Sequence, residues 1–381
     1  MKLLLSNSVL MLALSASAAA QQVYVSGLEF PSKVITIPNG NLLVTETGAK
    51  PNTGRVTLVA AGGVSRTLVA GLPSGLDAPN LDPDGPNGLY LTGRVLYIAN
   101  GEGDTLRAGP RPRTMVPNPE GISSPLFCSI LKVTFDRDLD QYQSPFTLKL
   151  QDHFALSLGN TVSLDDGAGN SAVFELVTKF SNTWPDPGTI YRNSHPYGMT
   201  AHPDLPGTLF TADAGMNLVW QTNTATGRTK ALVQFPNIPN VGPTGPPTKE
   251  AVPDSVKACG DLLLVNLLSG GPLAPSNASI MAVNPVTGEA HTYIANLNAA
   301  IDVACVASPI PDAMTFFVLE YSTNQGVMPL PPGRVLRYDS SSPTVWLDGL
   351  NTPTSLALDE STGSAYIVSR SEGQILTAKY R

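Results

Sequence analysis

A six-fold recurrence of short apolar strands sets the tightest limit on what this chain can fold into. The unit opens on a glycine-bearing turn, runs through an apolar strand and closes on a polar residue. Its first copy is Asn39-Gly40-Asn41-Leu42-Leu43-Val44-Thr45-Glu46. It returns from Gly93 to Asn100, Gly207 to Asp213, Gly260 to Asn266 and Gly363 to Ser369, and without the glycine from Met314 to Glu320. Ahead of each copy runs another short strand, starting at Pro31, Pro86, Pro196, Pro253, Ala300 and Pro353. Proline is tolerated at a strand's first position because no ladder donor is lost there. A third strand follows, as in Gly54-Arg55-Val56 and Gly333-Arg334-Val335, and usually a fourth, as in Val345-Trp346-Leu347. Four short strands per unit, six times over, predict an all-β chain folded as a six-bladed β-propeller rather than a sandwich.

The marked starts lie 55, 110, 57, 47 and 53 residues apart. The doubled interval predicts an insertion in the second blade at about 149–194, with a hidden seventh blade as the alternative. The last unit supplies only three strands, ending at Ile375-Leu376-Thr377. Val23-Tyr24-Val25-Ser26-Gly27-Leu28 resembles Val345-Trp346-Leu347-Asp348-Gly349-Leu350, which is a fourth strand leading into the next blade. The N-terminal strand is therefore expected to close the last blade and remove two open edges. Residues 21–381 then form one domain.

With 42% hydrophobic residues the chain can bury a sizeable core, which excludes global disorder. A formal net charge of −7 argues against nucleic acid as a partner, since phosphate neutralisation needs a basic face. Residues 1–20 read as a signal peptide: Lys2, an apolar run to Leu14, then the small residues Ser17 to Ala20. The expected location is secreted or periplasmic, and no later stretch is apolar enough to span a membrane. The expected partner is a small molecule or an extracellular protein, with the chain itself a monomer. Arg107, Arg111 and Arg113 form a basic loop. With three cysteines, at most one internal bridge can form. Cys259 and Cys305 stand one position out of register on equivalent inner strands of neighbouring blades, so pleat alternation puts them on opposite faces. Facing blades could bring them together as a disulfide; otherwise both are buried thiols, and Cys128 is unpaired in either case.

The ordered series His195-Pro196-Tyr197-Gly198-Met199, Thr211-Ala212-Asp213-Ala214-Gly215, Val252-Pro253-Asp254-Ser255-Val256, Ile301-Asp302-Val303-Ala304 and Pro353-Thr354-Ser355-Leu356-Ala357 resembles the ScyD/ScyE family of exported propellers. That family lies within the broad NHL-like and gluconolactonase-like six-bladed group. The resemblance runs from about Leu28 to the end and implies the fold; it implies no agreed reaction.

Propeller geometry narrows the site. The first strand of each blade lines the central channel, and its start shares a rim with the end of the second strand. Residues just after the repeated prolines therefore face one mouth: Ser32, Asn87, Tyr197, Asp254 and Thr354, with Ile301 or Asp302 in the fifth blade. Residues closing the second strands are expected nearby: Glu46, Asn100, Asp213, Asn266, Glu320 and Ser369. Glu46, Asn87, Asp213, Asp254 and Glu320 make an oxygen-rich set suited to a divalent cation such as calcium. Asn100, Tyr197, His195, Asn266 and Asp302 complete the expected binding mouth. The function expected is ligand binding or scaffolding through that mouth. The alternative is a metal-dependent lactonase or esterase-like hydrolase, because Asn87-Gly88-Leu89 and Pro253-Asp254-Ser255-Val256 partly resemble gluconolactonase motifs. That resemblance implies Asn87 as a metal ligand and Asp254 as ligand or general base, but Pro31-Ser32 stand where the family has a glutamate.

Overall fold

Alternating apolar residues between glycine turns give strands, and stacking such sheets radially buries both faces of each. The computed structural model describes residues 21–77, 81–110, 115–180, 193–242, 245–271, 274–308, 314–324 and 326–381. The leader expected at 1–20, and Arg111 and Arg113, lie outside them. Six blades follow one another round a central channel, each an antiparallel sheet ordered from the axis outward. Blade 1 runs through Pro31–Ile37, Asn41–Glu46, Gly54–Val59 and Ser65–Leu72. Blade 2 uses Pro86–Thr92, Val95–Asn100, Ser129–Phe135 and Ser171–Lys179. Blade 3 uses Pro196–Ala201, Thr208–Asp213, Leu218–Asn223 and Thr229–Gln234. Blade 4 uses Pro253–Cys259, Leu262–Leu267, Ala278–Val283 and Ala290–Leu297. Blade 5 uses Ala300–Ala307, Met314–Glu320, Gly333–Tyr338 and Thr344–Leu350. Blade 6 uses Pro353–Asp359, Ser364–Ser369 and Gln374–Lys379, with Gln22–Ser26 as its fourth strand.

That fourth strand closes the ring. Val23 pairs with Leu376 and Val25 with Ile375, antiparallel. Val25 and Leu28 are buried in a cluster that joins blades 6 and 1, and the Leu28 amide donates to the Gly373 carbonyl at 3.0 Å. The repeated glycine also has a local reason. Gly93, Gly207, Gly260 and Gly363 sit at positive φ in the hairpins between first and second strands, a conformation that a side chain disfavours.

Among the described residues the extra chain of blade 2 lies in two connections: 101–128 between its second and third strands, where Leu106–Ala108 pairs with Met115–Pro117, and 136–170 between its third and fourth strands, which overlaps the first part of the expected 149–194. Ser171–Lys179 is the blade's fourth strand, paired along its length with Ser129–Phe135. The extra segment crosses outward: Phe146 and Thr147 pair in parallel with Val69 and Ala70 of blade 1. A short helix follows at Leu150–Ser157, and Val162–Asp165 then adds to the edge of blade 2. Phe146, Leu148 and Leu156 join the core shared by blades 1 and 2, so the segment covers two sheet edges. His153 is buried there, between Ser124 Oγ at 2.9 Å and the Gly71 carbonyl at 2.7 Å.

Cys259 and Cys305 are bridged, with Cα atoms 6.2 Å apart, so the pleat and blade stacking do bring the two thiols face to face. The bridge ties the first strands of blades 4 and 5. Cys128 is buried and free, and burial pushes its thiol well above the usual range. The native protein should therefore react with no thiol reagent, show one thiol when denatured and three after reduction. Replacing the bridged pair by alanine should cost about 2–4 kcal/mol in chemical denaturation. Deleting residues 21–27 should lower Tm by more than an exposed-loop deletion of equal length, because it uncovers the edge at Ile375–Thr377.

Candidate functional site

The prolines do more than start strands. In all six blades the pairing between first and second strands slips just after the opening residue, for example between Pro31 and Val34, Pro196 and Met199, and Ala300 and Asp302. The same slip occurs after Pro86, Pro253 and Pro353. A bulge re-aims the side chains it carries, and here six bulges aim theirs at the channel axis. Two layers result.

The inner layer centres on Asp302. Its carboxylate accepts from Lys33 Nζ at 2.7 Å, Ser255 Oγ at 2.5 Å and Ser355 Oγ at 3.0 Å, and from the Val303 and Leu356 amides, each at 3.0 Å. Burial alone would raise this carboxyl, but Lys33, then Lys257 and Ser255, outweigh it and hold it below its usual value. In blades 2 and 3 the same level is occupied by Gly88 and Gly198. A Cβ on Gly88 would lie 2.2 Å from the Tyr197 carbonyl oxygen, and one on Gly198 2.8 Å from Ser255 Cα. Glycine there lets neighbouring inner strands close up, while the other four blades supply the polar groups.

The outer layer is the expected mouth. Ser32 Oγ donates to Asn87 Oδ1 at 3.1 Å and lies 3.4 Å from the Tyr197 hydroxyl. Asn87 Nδ2 donates to Asp84 Oδ1 at 2.7 Å. His195 Nε2 lies 3.3 Å from that same oxygen, its Nδ1 3.9 Å from Glu102, and its ring packs edge-on against Tyr197. Burial would lower the His195 imidazolium, yet Asp84, Glu102 and Asp77 raise it to about 10, which favours the cation at neutral pH. Burial favours a neutral Asp84, but His195, with bonds from the Gly103 amide and Asn87, carries it down to about 2. The remaining acids move the other way. Burial first, then neighbouring acids, lifts Glu102 to about 7 and Asp77 to about 6.

Asp254 differs from all of these. It is 5% exposed, and its Oδ2 is buried without a hydrogen-bond partner. Burial lifts its carboxyl to about 7 against the fields of His195 and Lys33. Burial likewise pushes the Tyr197 hydroxyl to about 12, keeping it a donor.

Asn87, Tyr197, His195, Asp254 and Asp302 thus come to the axis, and Glu46, Asp213 and Glu320 do not. Each of those three carboxylates is turned into its own blade and sealed. Glu46 holds Arg55 at 2.5 Å, the Glu29 amide at 2.5 Å and the Thr57 hydroxyl. Glu320 holds Arg334 at 2.5 Å and the Asn298 amide at 2.7 Å. Asp213 takes the Ser194 hydroxyl, the His195 amide at 2.8 Å, the Met216 amide at 3.0 Å and Trp220 Nε1 at 2.7 Å. It therefore positions the loop that carries His195. Asn100 bonds Ser129 Oγ at 3.2 Å within blade 2, and the Asn266 amide is buried without a partner. The five residues expected to share calcium are not gathered, and among the described residues no group of three or more His, Cys, Asp or Glu side chains has the arrangement of a metal site.

Asp77, Asp84, Glu102 and Lys33 were not singled out by sequence reasoning. The three acids sit in loops without a counterpart in other blades. Lys33 did leave a signal: it is a lysine at a position filled by Gly, Ser or Asp in the other inner strands.

No family model matches the chain, and no curated protein matches it in sequence. In fold it is similar to the holo form of the pyranose dehydrogenase PQQ domain from Coprinopsis cinerea. The TM-score is 0.51 at 10% identity, covering 95% of this chain and 97% of that one. It is also similar to an auxiliary nutrient binding protein from Bacteroides thetaiotaomicron, at TM-score 0.48 and 12% identity over 92% of this chain and 69% of that one. Virginiamycin B lyase from Staphylococcus aureus gives TM-score 0.45 at 11% identity, covering 95% and 99%. At such identities the likeness shows a propeller fold and nothing of the chemistry. No helix among the described residues is long and apolar enough to cross a membrane.

The state of Asp254 makes a pH test direct. Its folded pKa lies above the unfolded value, so its contribution is fully present below about pH 4 and is lost as pH rises to about 7. Asp254→Asn cannot ionise and escapes that loss. Chemical denaturation should find the variant equal to wild type near pH 4. At pH 8 it should be more stable, by on the order of 1–3 kcal/mol. Equal stability at both pH values would mean that Asp254 is solvated and paired.

Proposed function

We propose that this protein binds a small organic cation at the outer mouth of its channel. The observation that carries the reading is Asp254, a buried carboxyl on the axis with an oxygen that has no partner. It belongs to a surplus of acid. Asp77, Asp84, Glu102 and Asp254 face one imidazolium, and three of the four are pushed towards neutrality. Arg370 stands nearby, but its guanidinium is engaged by the Phe30 and Pro83 carbonyls and Thr47 Oγ1. A ligand bringing positive charge would let these carboxyls ionise against it, while Tyr197 and Ser32 offer hydroxyls for orientation. Solvent reaches the cluster at His195 and Glu102, whose side chains are 20% and 14% exposed. On this reading the ligand is read by charge and no calcium ion is needed.

Export is part of the proposal. The leader pattern at 1–20, the resemblance of the motif series to the exported ScyD/ScyE propellers and the Cys259–Cys305 bridge all support a secreted or periplasmic location, where disulfides persist.

A hydrolase reading keeps one supporting observation: Asp254 at about 7 is in the range where a general base works. Ser32 is no serine nucleophile of a triad, because it bonds Asn87 and Tyr197 rather than His195, and the acids round His195 favour its protonated form.

Calorimetry at pH 6 with choline and cadaverine, run in two buffers of different ionisation enthalpy, tests the proposal. Amine binding should release protons, and Asp254→Asn should weaken it about tenfold or more. Calcium chloride should give no comparable heat. Absence of binding by either amine overturns the reading. Turnover in a lactone and ester screen that Asp254→Asn abolishes would install the hydrolase instead.

A further inference from the structure

The outer gaps between neighbouring blades are sealed by a repeated device. In the fourth strands of blades 2, 3 and 6 one residue bulges out of the pairing: Val177, Leu232 and Tyr24. A glycine in the next blade's third-to-fourth hairpin closes on its carbonyl oxygen. A Cβ on Gly227, Gly288 or Gly63 would lie 2.2, 2.1 or 2.3 Å from that oxygen. Blade 1 is sealed by the 136–170 segment, which pairs Phe146 with Val69, and Tyr380 packs into the gap between blades 5 and 6. Blade 4 has the same bulge, at Tyr293. The hairpin that faces it, Asp339-Ser340-Ser341-Ser342-Pro343, has no glycine, and a cleft of about 920 Å³ opens between blades 4 and 5.

The gap between blades 6 and 1 shows what this cleft lacks. There Tyr24 is latched: its hydroxyl accepts from the Gly62 amide at 3.0 Å and donates to the Ala60 carbonyl at 3.4 Å. The Tyr293 hydroxyl has no hydrogen bond among the described residues; its ring is 44% exposed and packs edge-on against Phe316 at 5.3 Å. Val345 is 50% exposed, and Ile294, Met314 and Phe316 are half-buried, so the cleft has apolar walls that solvent reaches. Charge is unbalanced in the same place. Arg55 of blade 1 pairs with Glu46 and also reaches Glu29 at 3.8 Å. Its counterpart Arg334, 26% exposed on the cleft, bonds only Glu320 among the described residues, through Nε. Asn298 stands where Glu29 does: each donates its amide to the sealed glutamate of its blade. Arg334 is therefore short of one carboxylate.

Blade 1 shows the kind of occupant that fits. Its fourth strand, Ser65–Leu72, has the same register as Ala290–Leu297. Phe146 and Thr147 pair in parallel with Val69 and Ala70, the Leu148 amide donates to the Ala70 carbonyl at 3.0 Å, and the Phe146 ring is buried between the blades. Val69 and Ala70 correspond to Ile294 and Ala295, on an edge that carries no further strand among the described residues. We propose that the cleft between blades 4 and 5 binds an extended segment of a partner protein, added in parallel to the Ala290–Leu297 edge. An aromatic residue of that segment pairs with Ile294 and packs on Phe316, and an acidic residue close after it meets Arg334. Asn296 sets the limit of pairing. It replaces Gly71, on which a Cβ would lie 2.1 Å from the Leu148 carbonyl oxygen, so the docked chain leaves the edge after Ala295. The inference is independent of the channel mouth.

The probe is fluorescein-labelled Gln-Ser-Pro-Phe-Thr-Asp amide, which copies residues 143–147 and ends on an aspartate. Anisotropy titration with the full-length mature protein should show saturable binding. Replacing the peptide's phenylalanine by alanine, or its aspartate by asparagine, should each weaken binding about tenfold or more. Ala295→Pro should do the same with Tm near wild type, because proline is tolerated on an edge strand. On the wild type, the peptide should slow amide hydrogen exchange in residues 290–298 and not along the blade 3 edge at 229–234. No binding, indifference to the phenylalanine, or protection elsewhere would overturn the proposal. Two outcomes would replace the occupant: 3-phenylpropionate competing as well as the peptide would make this a small-molecule cleft, and a dimer dissolved by Ala295→Pro would assign the edge to a second copy.

Discussion

Everything at the centre of this propeller depends on one buried ion pair. Lys33 and Asp302 stand 269 residues apart and meet at 2.7 Å, their side chains 2% and 0% exposed. Two charges in such a place are costly to desolvate, and the cost is recovered only when every lone pair and proton has a partner. Here blades 4 and 6 supply Ser255 and Ser355, and two amides complete the donors round the Asp302 carboxylate. The pair therefore needs four blades in register at once. Breaking such a pair by removing one partner typically costs about 3–5 kcal/mol, so ring closure and the central layer enforce each other.

The bulges make that layer geometrically possible. Without a slip after the opening proline, successive side chains of an inner strand would alternate between the two faces of the blade. With the slip, two neighbouring residues reach the axis region, one in each layer: Ser32 and Lys33 in blade 1, Asp254 and Ser255 in blade 4. Where the partner strand crowds the axis, Gly88 and Gly198 take the second position instead. The polar residues that end the second strands serve a different purpose. Glu46 pairs across the sheet with Arg55, and Glu320 with Arg334, so each carboxylate fastens its own blade from within.

The architecture was legible because strand alternation and glycine turns are local, and a six-fold repeat multiplies a weak signal. The same alternation placed Cys259 and Cys305 on facing surfaces, though only the structure shows that they bond. The mouth was half legible. Asn87, Tyr197 and Asp254 follow prolines that mark the channel, and they are where that rule puts them. Glu46, Asp213 and Glu320 were read by strand end alone, which fixes a residue's height in the blade and not the side to which it turns. The Gly-Arg-Val start shared by the third strands of blades 1 and 5 was the clue to their ion-paired role. Asp77, Asp84 and Glu102 come from loops outside the repeat, where periodicity carries no information, and their convergence on His195 is a purely tertiary fact.

The buried Lys33–Asp302 pair stands between two ends of the channel that differ in chemistry. Above the ion pair, carboxyls outnumber cations, and burial drives Asp254, Glu102 and Asp77 towards their neutral forms. Below it, Lys257 is half-buried beside Thr36, Tyr90 and Thr200, and the carboxylate that acts on it, Asp302, is already bonded to Lys33. The asymmetry follows from Asp302 itself. A single carboxylate balances a single lysine, and Lys33 has taken it, which leaves Lys257 as excess positive charge on the lower side. Asp254 is left on the upper side with no cation bonded to it. The layer that holds the ring together thus also separates two electrostatically unlike ends of the channel, one rich in carboxyls and one with an unbonded lysine.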